Sequence, residues 1–207
     1  MSTPREDFLI AEYNQLMNDI DRHIMVVWQS LTALVGSFTI YALVEKNIIS
    51  IDIAAALGVL IALWTLCHIL DANYWYNRNL VMIANIERQF LQVSDLKDIH
   101  YYFGKHRPNR MISHLKIQMG LALGVLLVVV FFHFSERVVP GFSAPMSNFD
   151  LKRCLPYVIL GLGIGFVLFL HSQRNKDYAE FIQNSPGKQM DTTGIEYGAG
   201  HGHKPSD

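Results

Sequence analysis

Charge is scarce in this chain of 207 residues, at 17%, and cysteine scarcer still, at two residues. There is no Walker loop, no GxSxG, no HExxH and no CxxC. Those absences argue against P-loop phosphate binding, acyl transfer on a nucleophile elbow, zincin hydrolysis and dithiol redox exchange. The two thiols, Cys67 and Cys154, fall at opposite ends of apolar stretches. A disulfide needs Cα atoms within about 7 Å, so no internal bridge is expected and both read as small apolar side chains. Seventeen basic against 18 acidic residues leave no overall pull toward nucleic acid, and no nucleic-acid partner is expected. A basic leader with a small-residue cleavage site is also missing. The first 23 residues instead carry Glu6, Asp7, Glu12, Asp19 and Asp21, so the first apolar run reads as an uncleaved signal anchor.

What is abundant is hydrophobic surface, 51% of residues. It is gathered into four runs free of Asp, Glu, Lys and Arg, at residues 24–44, 53–70, 117–135 and 154–170. Each can cross a bilayer core of roughly 30 Å at about 1.5 Å per residue, the shorter ones borrowing flanking residues. The expected fold class is an all-α membrane protein with four transmembrane helices in two hairpins and long cytoplasmic extensions of the helices. No soluble stretch is long enough for a conventional catalytic domain. Intramembrane charge, the usual mark of an ion path, is lacking within the runs, so ion-coupled transport is not expected. No catalytic residue, cofactor or metal ligand is assigned.

Basic residues give the orientation. Thirteen Lys and Arg lie in the N-terminal segment, the middle loop and the tail, against four in the two hairpin loops. The positive-inside rule then places both termini in the cytoplasm. The resulting division is a cytoplasmic amphipathic helix over 1–23, a first hairpin over 24–70, a cytoplasmic helix and basic turn over 71–116, a second hairpin over 117–170, and a cytoplasmic tail over 171–207. From about residue 184 the tail is rich in Gly and Pro without an apolar stripe, and is expected to be disordered.

Two stripes at helical spacing flank the first hairpin. Leu9, Tyr13, Leu16 and Ile20 predict a helix running straight into span one, and Leu80, Ile83, Ile86, Phe90 and Val93 predict that span two continues as one helix to about Val93. An apolar stripe in water must be covered, either by the other stripe or by protein outside the chain. The second set is the expected partner-binding face. Small residues mark helix-packing faces at Ala54, Gly58 and Ala62, at Gly120 and Gly124, and at Gly161 and Gly165 with Gly163 between them. The basic set Lys105, Arg107, Arg110 and Lys116 reads as an anchor on lipid headgroups. In span one Gln29, Ser30, Thr32, Ser37 and Thr39 are suited to bonding between helices or to lining a narrow pore. His23, His68, His114 and His171 stand one per span at the expected cytoplasmic ends. Imidazoles at one depth either share the interfacial habit of Trp and Tyr or converge on a metal or a proton.

The lead-in Glu12-Tyr13-Asn14, the tight two-span hairpin and the following Asn85-Ile86-Glu87-Arg88 resemble the small bacterial membrane effectors of conflict and antiviral systems, including SLATT-type two-span domains. The resemblance covers residues 5 to 95, and the second hairpin departs from the two-span pattern. It implies a homo-oligomeric bacterial inner-membrane protein, coupled to a cytoplasmic protein partner and acting as a sensor or effector in antiviral defence. The alternative reading is a small channel or pore lined by span one.

Overall fold

The computed structural model describes residues 3–92, 95, 108–143, 145 and 150–186, and all regular structure among them is helical, with no strands. Its elements are α1 (Pro4–Gly36), α2 (Thr39–Glu45), α3 (Ile51–Glu87), α4 (Ser113–His133) and α5 (Leu155–Asn184). A π turn (Phe134–Val138) and a 3₁₀ turn (Val139–Ser143) continue α4, and a second 3₁₀ turn (Leu151–Cys154) leads into α5. Four stretches, Pro4–Glu45, Ile51–Glu87, Ser113–Ser143 and Leu151–Asn184, are long and apolar enough to cross a membrane. This is a multi-pass membrane protein.

The helices divide between two compact units. One holds residues 1–25, 71–111 and 173–207, and the other holds 26–70 and 112–172. In the first unit α1 and α3 lie antiparallel. Arg5 donates to Gln89 at 3.0 Å near one end, and His23 stacks on Trp75 near the other, ring centroids 5.5 Å apart. Between these ends Leu16, Leu80, Ile83 and Ile86 are buried together, with Leu9, Tyr13 and Ile20 packed against them. A second core joins Tyr74 and Val81 of α3 to Tyr178 of α5, flanked by Trp75, Phe181 and Ile182.

Helix α3 stops at Glu87, short of the expected end at Val93. Its backbone passes into turns, with Gln89 N–H donating to Ile86 at 2.8 Å and Leu91 N–H to Glu87 at 2.8 Å. The reason is tertiary. Helix α1 begins at Pro4, beside Gln89, so beyond that point no α1 surface remains to cover the stripe and repay the cost of further helix.

In the second unit α3 is the most enclosed helix, with 61% of its apolar window buried against 6% for α5. Ala54, Ala55, Val59, Ala62 and Ile69 have no exposed surface. The run over 24–44 is broken after Gly36, where Ser37 N–H bonds back to Ala33 at 2.9 Å and α2 begins two residues later. Helix α2 ends in a Schellman arrangement: Asn47 N–H donates to Val44 and Ile48 N–H to Leu43, each at 2.9 Å. Asn47 takes the left-handed conformation that this cap requires, with φ 56°.

Candidate functional site

The densest polar chemistry in the membrane-compatible unit gathers at the start of α3, the end of α4 and the start of α5. Ser50 opens α3, its hydroxyl accepting from Ile53 N–H at 3.3 Å, and this cap sets Asp52 in the first turn. His133 ends α4 and Arg137 follows four residues later in the π turn, a spacing that puts both on one face. Pi turns of this kind recur at functional sites. Asp52 accepts a two-pronged bond from Arg137, Nε to Oδ1 and Nη2 to Oδ2, both at 3.0 Å. His133 Nε2 adds a bond to Oδ1 at 2.9 Å. Tyr157, in the first turn of α5, meets the other ring nitrogen, Nδ1, at 3.0 Å.

An ionised carboxylate only accepts, so Nε2 of His133 carries the hydrogen on the Asp52 side. In the neutral ring Nδ1 then accepts the Tyr157 hydroxyl proton. Asp52 and His133 are essentially inaccessible, at 1% and 0%, while Arg137 keeps 30% of its side chain exposed and also lies 3.7 Å from Asp150. The arrangement clamps three helix ends through one carboxylate. Its acid, imidazole and phenol form a continuous hydrogen-bonded line.

The first unit has its own polar junction. Asn77, fully buried, directs Nδ2 at Asn73 O (2.8 Å), Asn109 Oδ1 (3.0 Å), Asn73 Oδ1 (3.1 Å) and Arg110 O (3.2 Å). Asn109 passes the line on to Asn175 of α5 at 2.8 Å. Arg174 pairs with Asp71 at 2.6 Å and lies over the Tyr74 ring at 4.7 Å. One amide thus ties the segment before α4 to α3, and an arginine ties in α5.

The residues singled out from the sequence fall as follows. Leu80, Ile83 and Ile86 are covered by the stripe of α1, so as they stand they do not offer a free face to a partner. Phe90 is 42% exposed, and Val93 lies outside the described residues. Ala54 and Ala62 are buried, and a Cβ on Gly58 would meet Val129 of α4 at 3.3 Å. Gly120, Gly124, Gly161 and Gly165 have no neighbour within 4 Å of such a Cβ, whereas Gly163 has the Leu63 side chain in that space. The packing glycine of α5 within the chain is therefore Gly163, a half-turn off the Gly161 and Gly165 face. Arg110 and Lys116 are exposed, and Lys105 and Arg107 lie outside the described residues.

Hydroxyls of span one bond to carbonyls of their own turns: Ser30 to Val26, Thr32 to Trp28, Ser37 to Leu34 and Thr39 to Gly36. Ser30 and Ser37 are buried while Gln29, Thr32 and Thr39 are exposed, so the set is split between faces. Three histidines sit against three different tryptophans: His23 on Trp75, His114 by Trp28 and His68 by Trp64. Among the described residues no three His, Cys, Asp or Glu side chains gather as a metal-holding group. Cys67 and Cys154 are free thiols.

Sequence reasoning missed Asp52, which it left in a loop, and His133, which it counted within an uncharged run. The available signal was an acid one residue before an apolar run, and a histidine near the end of another with an arginine four residues on. Comparison with protein-family models, with curated proteins and with solved structures finds no match to this chain.

Proposed function

We propose that this is a non-enzymatic, homo-oligomeric four-span protein of the bacterial inner membrane. It folds as two hairpins with both termini in the cytoplasm and couples a cytoplasmic protein partner to the membrane as a sensor or effector of antiviral defence. The observation that carries the oligomer is the contrast between glycine faces. Gly58 and Gly163 are filled by side chains of the same chain, whereas Gly120 with Gly124 and Gly161 with Gly165 stand open to 4 Å. In lipid, helices associate through such small faces because apolar burial gives no preference between helix and acyl chain. A second copy on the open faces of α4 and α5 supplies the missing neighbour. The excess of basic residues in the N-terminal segment, middle loop and tail supports the orientation, and Phe90 remains available to a partner.

The test is the mass of the purified protein in mild detergent, for wild type and for Gly120→Leu with Gly124→Leu. A Cβ at either position has no neighbour within 4 Å, so the monomer fold is expected to tolerate the change better than the assembly does. A smaller particle is expected for the double variant. Unchanged mass, with wild-type helicity, refutes this interface. Ionic conductance from wild-type protein in planar bilayers would instead favour the pore reading.

A further inference from the structure

In the turn that leads into α5 one cation has no counter-charge among the described residues. Arg137 is committed to Asp52, but among the described residues the guanidinium of Arg153, in the 3₁₀ turn that leads into α5, forms no ion pair, and its Nε is buried without a hydrogen-bond partner. Its Nη1 lies 3.0 Å from where a Cβ on Gly141 would stand, so the absence of a side chain at 141 makes room for it. Lys152 beside it is exposed and has no ion pair among the described residues, since the Asp150 carboxylate accepts the Lys152 backbone N–H at 3.0 Å and faces Arg137. Glu136 is exposed and pairs with neither cation.

The setting is apolar. Leu151 is 77% exposed and Phe142 76%, with Leu155 also exposed, and the apolar length of α5 begins directly after Cys154. A forked cation with an unfilled donor, at the end of a membrane-spanning helix and close in sequence to exposed apolar side chains, fits an anion attached to hydrocarbon. Arginine matches such an anion in two-pronged fashion, and a phosphate oxygen is the acceptor its planar fork suits.

We infer that Arg153, seated against Gly141 and assisted by Lys152, binds the phosphate of a phospholipid headgroup in the leaflet at this end of α5, with Phe142, Leu151 and Leu155 against its acyl chains. The chemistry shared with free phosphate is the oxyanion; the exposed Phe142, Leu151 and Leu155 commit the site to lipid. This inference needs only the membrane-spanning character of α5 and is independent of the oligomer.

The test is native mass spectrometry of delipidated protein titrated with phosphatidylglycerol, for wild type, Arg153→Gln, Arg153→Lys and Gly141→Val. Wild type should retain a lipid that Arg153→Gln loses, with affinity down about tenfold for a lost charge-assisted fork. Arg153→Lys should fall between them, since it keeps the charge and loses the fork. Gly141→Val displaces the guanidinium without altering charge and should also weaken retention, which keeps the test decisive if Arg153→Gln fails to fold. Inorganic phosphate at equal concentration should not displace the lipid. Equal retention by all four proteins overturns the site, and displacement by inorganic phosphate overturns its assignment to lipid.

Discussion

Removing Arg137 should destabilise the protein more than removing the charge of its partner, and the asymmetry follows from burial. Asp52 is 1% exposed and Arg137 30%. In Arg137→Met the carboxylate stays in place, facing only His133, and cannot reach water. Stranding a buried charge in this way costs about 3–5 kcal/mol. In Asp52→Asn the carboxamide keeps the shape and an acceptor oxygen for Arg137 or His133. The arginine is not stranded either, because it is part-exposed and lies 3.7 Å from Asp150. The loss there is a charge-assisted bond weakened to a neutral one, about 1–2 kcal/mol. Combining Arg137→Met with Asp52→Leu removes both charges, so the double variant should be more stable than Arg137→Met alone. Thermal unfolding in one detergent, followed by helical circular dichroism, ranks the variants. If Asp52→Asn melts at or below Arg137→Met, or if the double variant is the least stable of all, the buried-carboxylate argument is wrong.

Two further predictions concern the first unit. Ile83→Ala empties a site with no exposed surface and should cost about 2–5 kcal/mol, whereas Phe90→Ala, at a half-exposed position past the end of α3, should leave the melting temperature near wild type while weakening partner capture; proteolysis and thermal unfolding of both variants check the contrast. Asn77→Leu keeps the branched shape, slightly enlarged, but leaves Asn109 and the Arg110 carbonyl without the shared amide, for about 1–3 kcal/mol, and hydrogen exchange at residues 108–110 should rise first.

How much the sequence disclosed depended on the solvent around each segment. The α1 stripe and Leu80, Ile83 and Ile86 of α3 were legible, because apolar side chains recurring at helical spacing among polar ones mark a face that must be covered. Leu16, Leu80, Ile83 and Ile86 ended in one core for that reason. The end of α3 was not legible, because it is decided by where α1 begins rather than by any breaker in the sequence. Nor was the extension of α5, whose Tyr178, Phe181 and Ile182 form a short stripe at spacings of three and one. In the second unit the four apolar lengths could be read directly, but Asp52, His133, Arg137 and Tyr157 come from three distant parts of the chain, and no local pattern joins them.

On the proposed placement, with the second unit in lipid and the first outside it, the bilayer accounts for the difference between the units and dictates how each should be probed. A helix surrounded by acyl chains gains no water-driven burial by turning one apolar face inward, so hydropathy says that α4 and α5 can span and is silent on their rotation. Rotation must be carried by features that lipid cannot satisfy: polar atoms that need partners and small residues that admit a neighbouring side chain. The second unit has both kinds at its helix contacts. The Asp52 cluster orients the ends of α3, α4 and α5, and Gly58 against Val129 and Gly163 against Leu63 set the approach of α4 and α5 to α3. Charge introduced on a stripe is therefore the informative perturbation in the first unit. In the second, steric change at Gly58 or Gly163 and loss of a partner within the Asp52 cluster report on packing, because exchanging one large apolar residue for another on the lipid-facing surface of α5 alters neither.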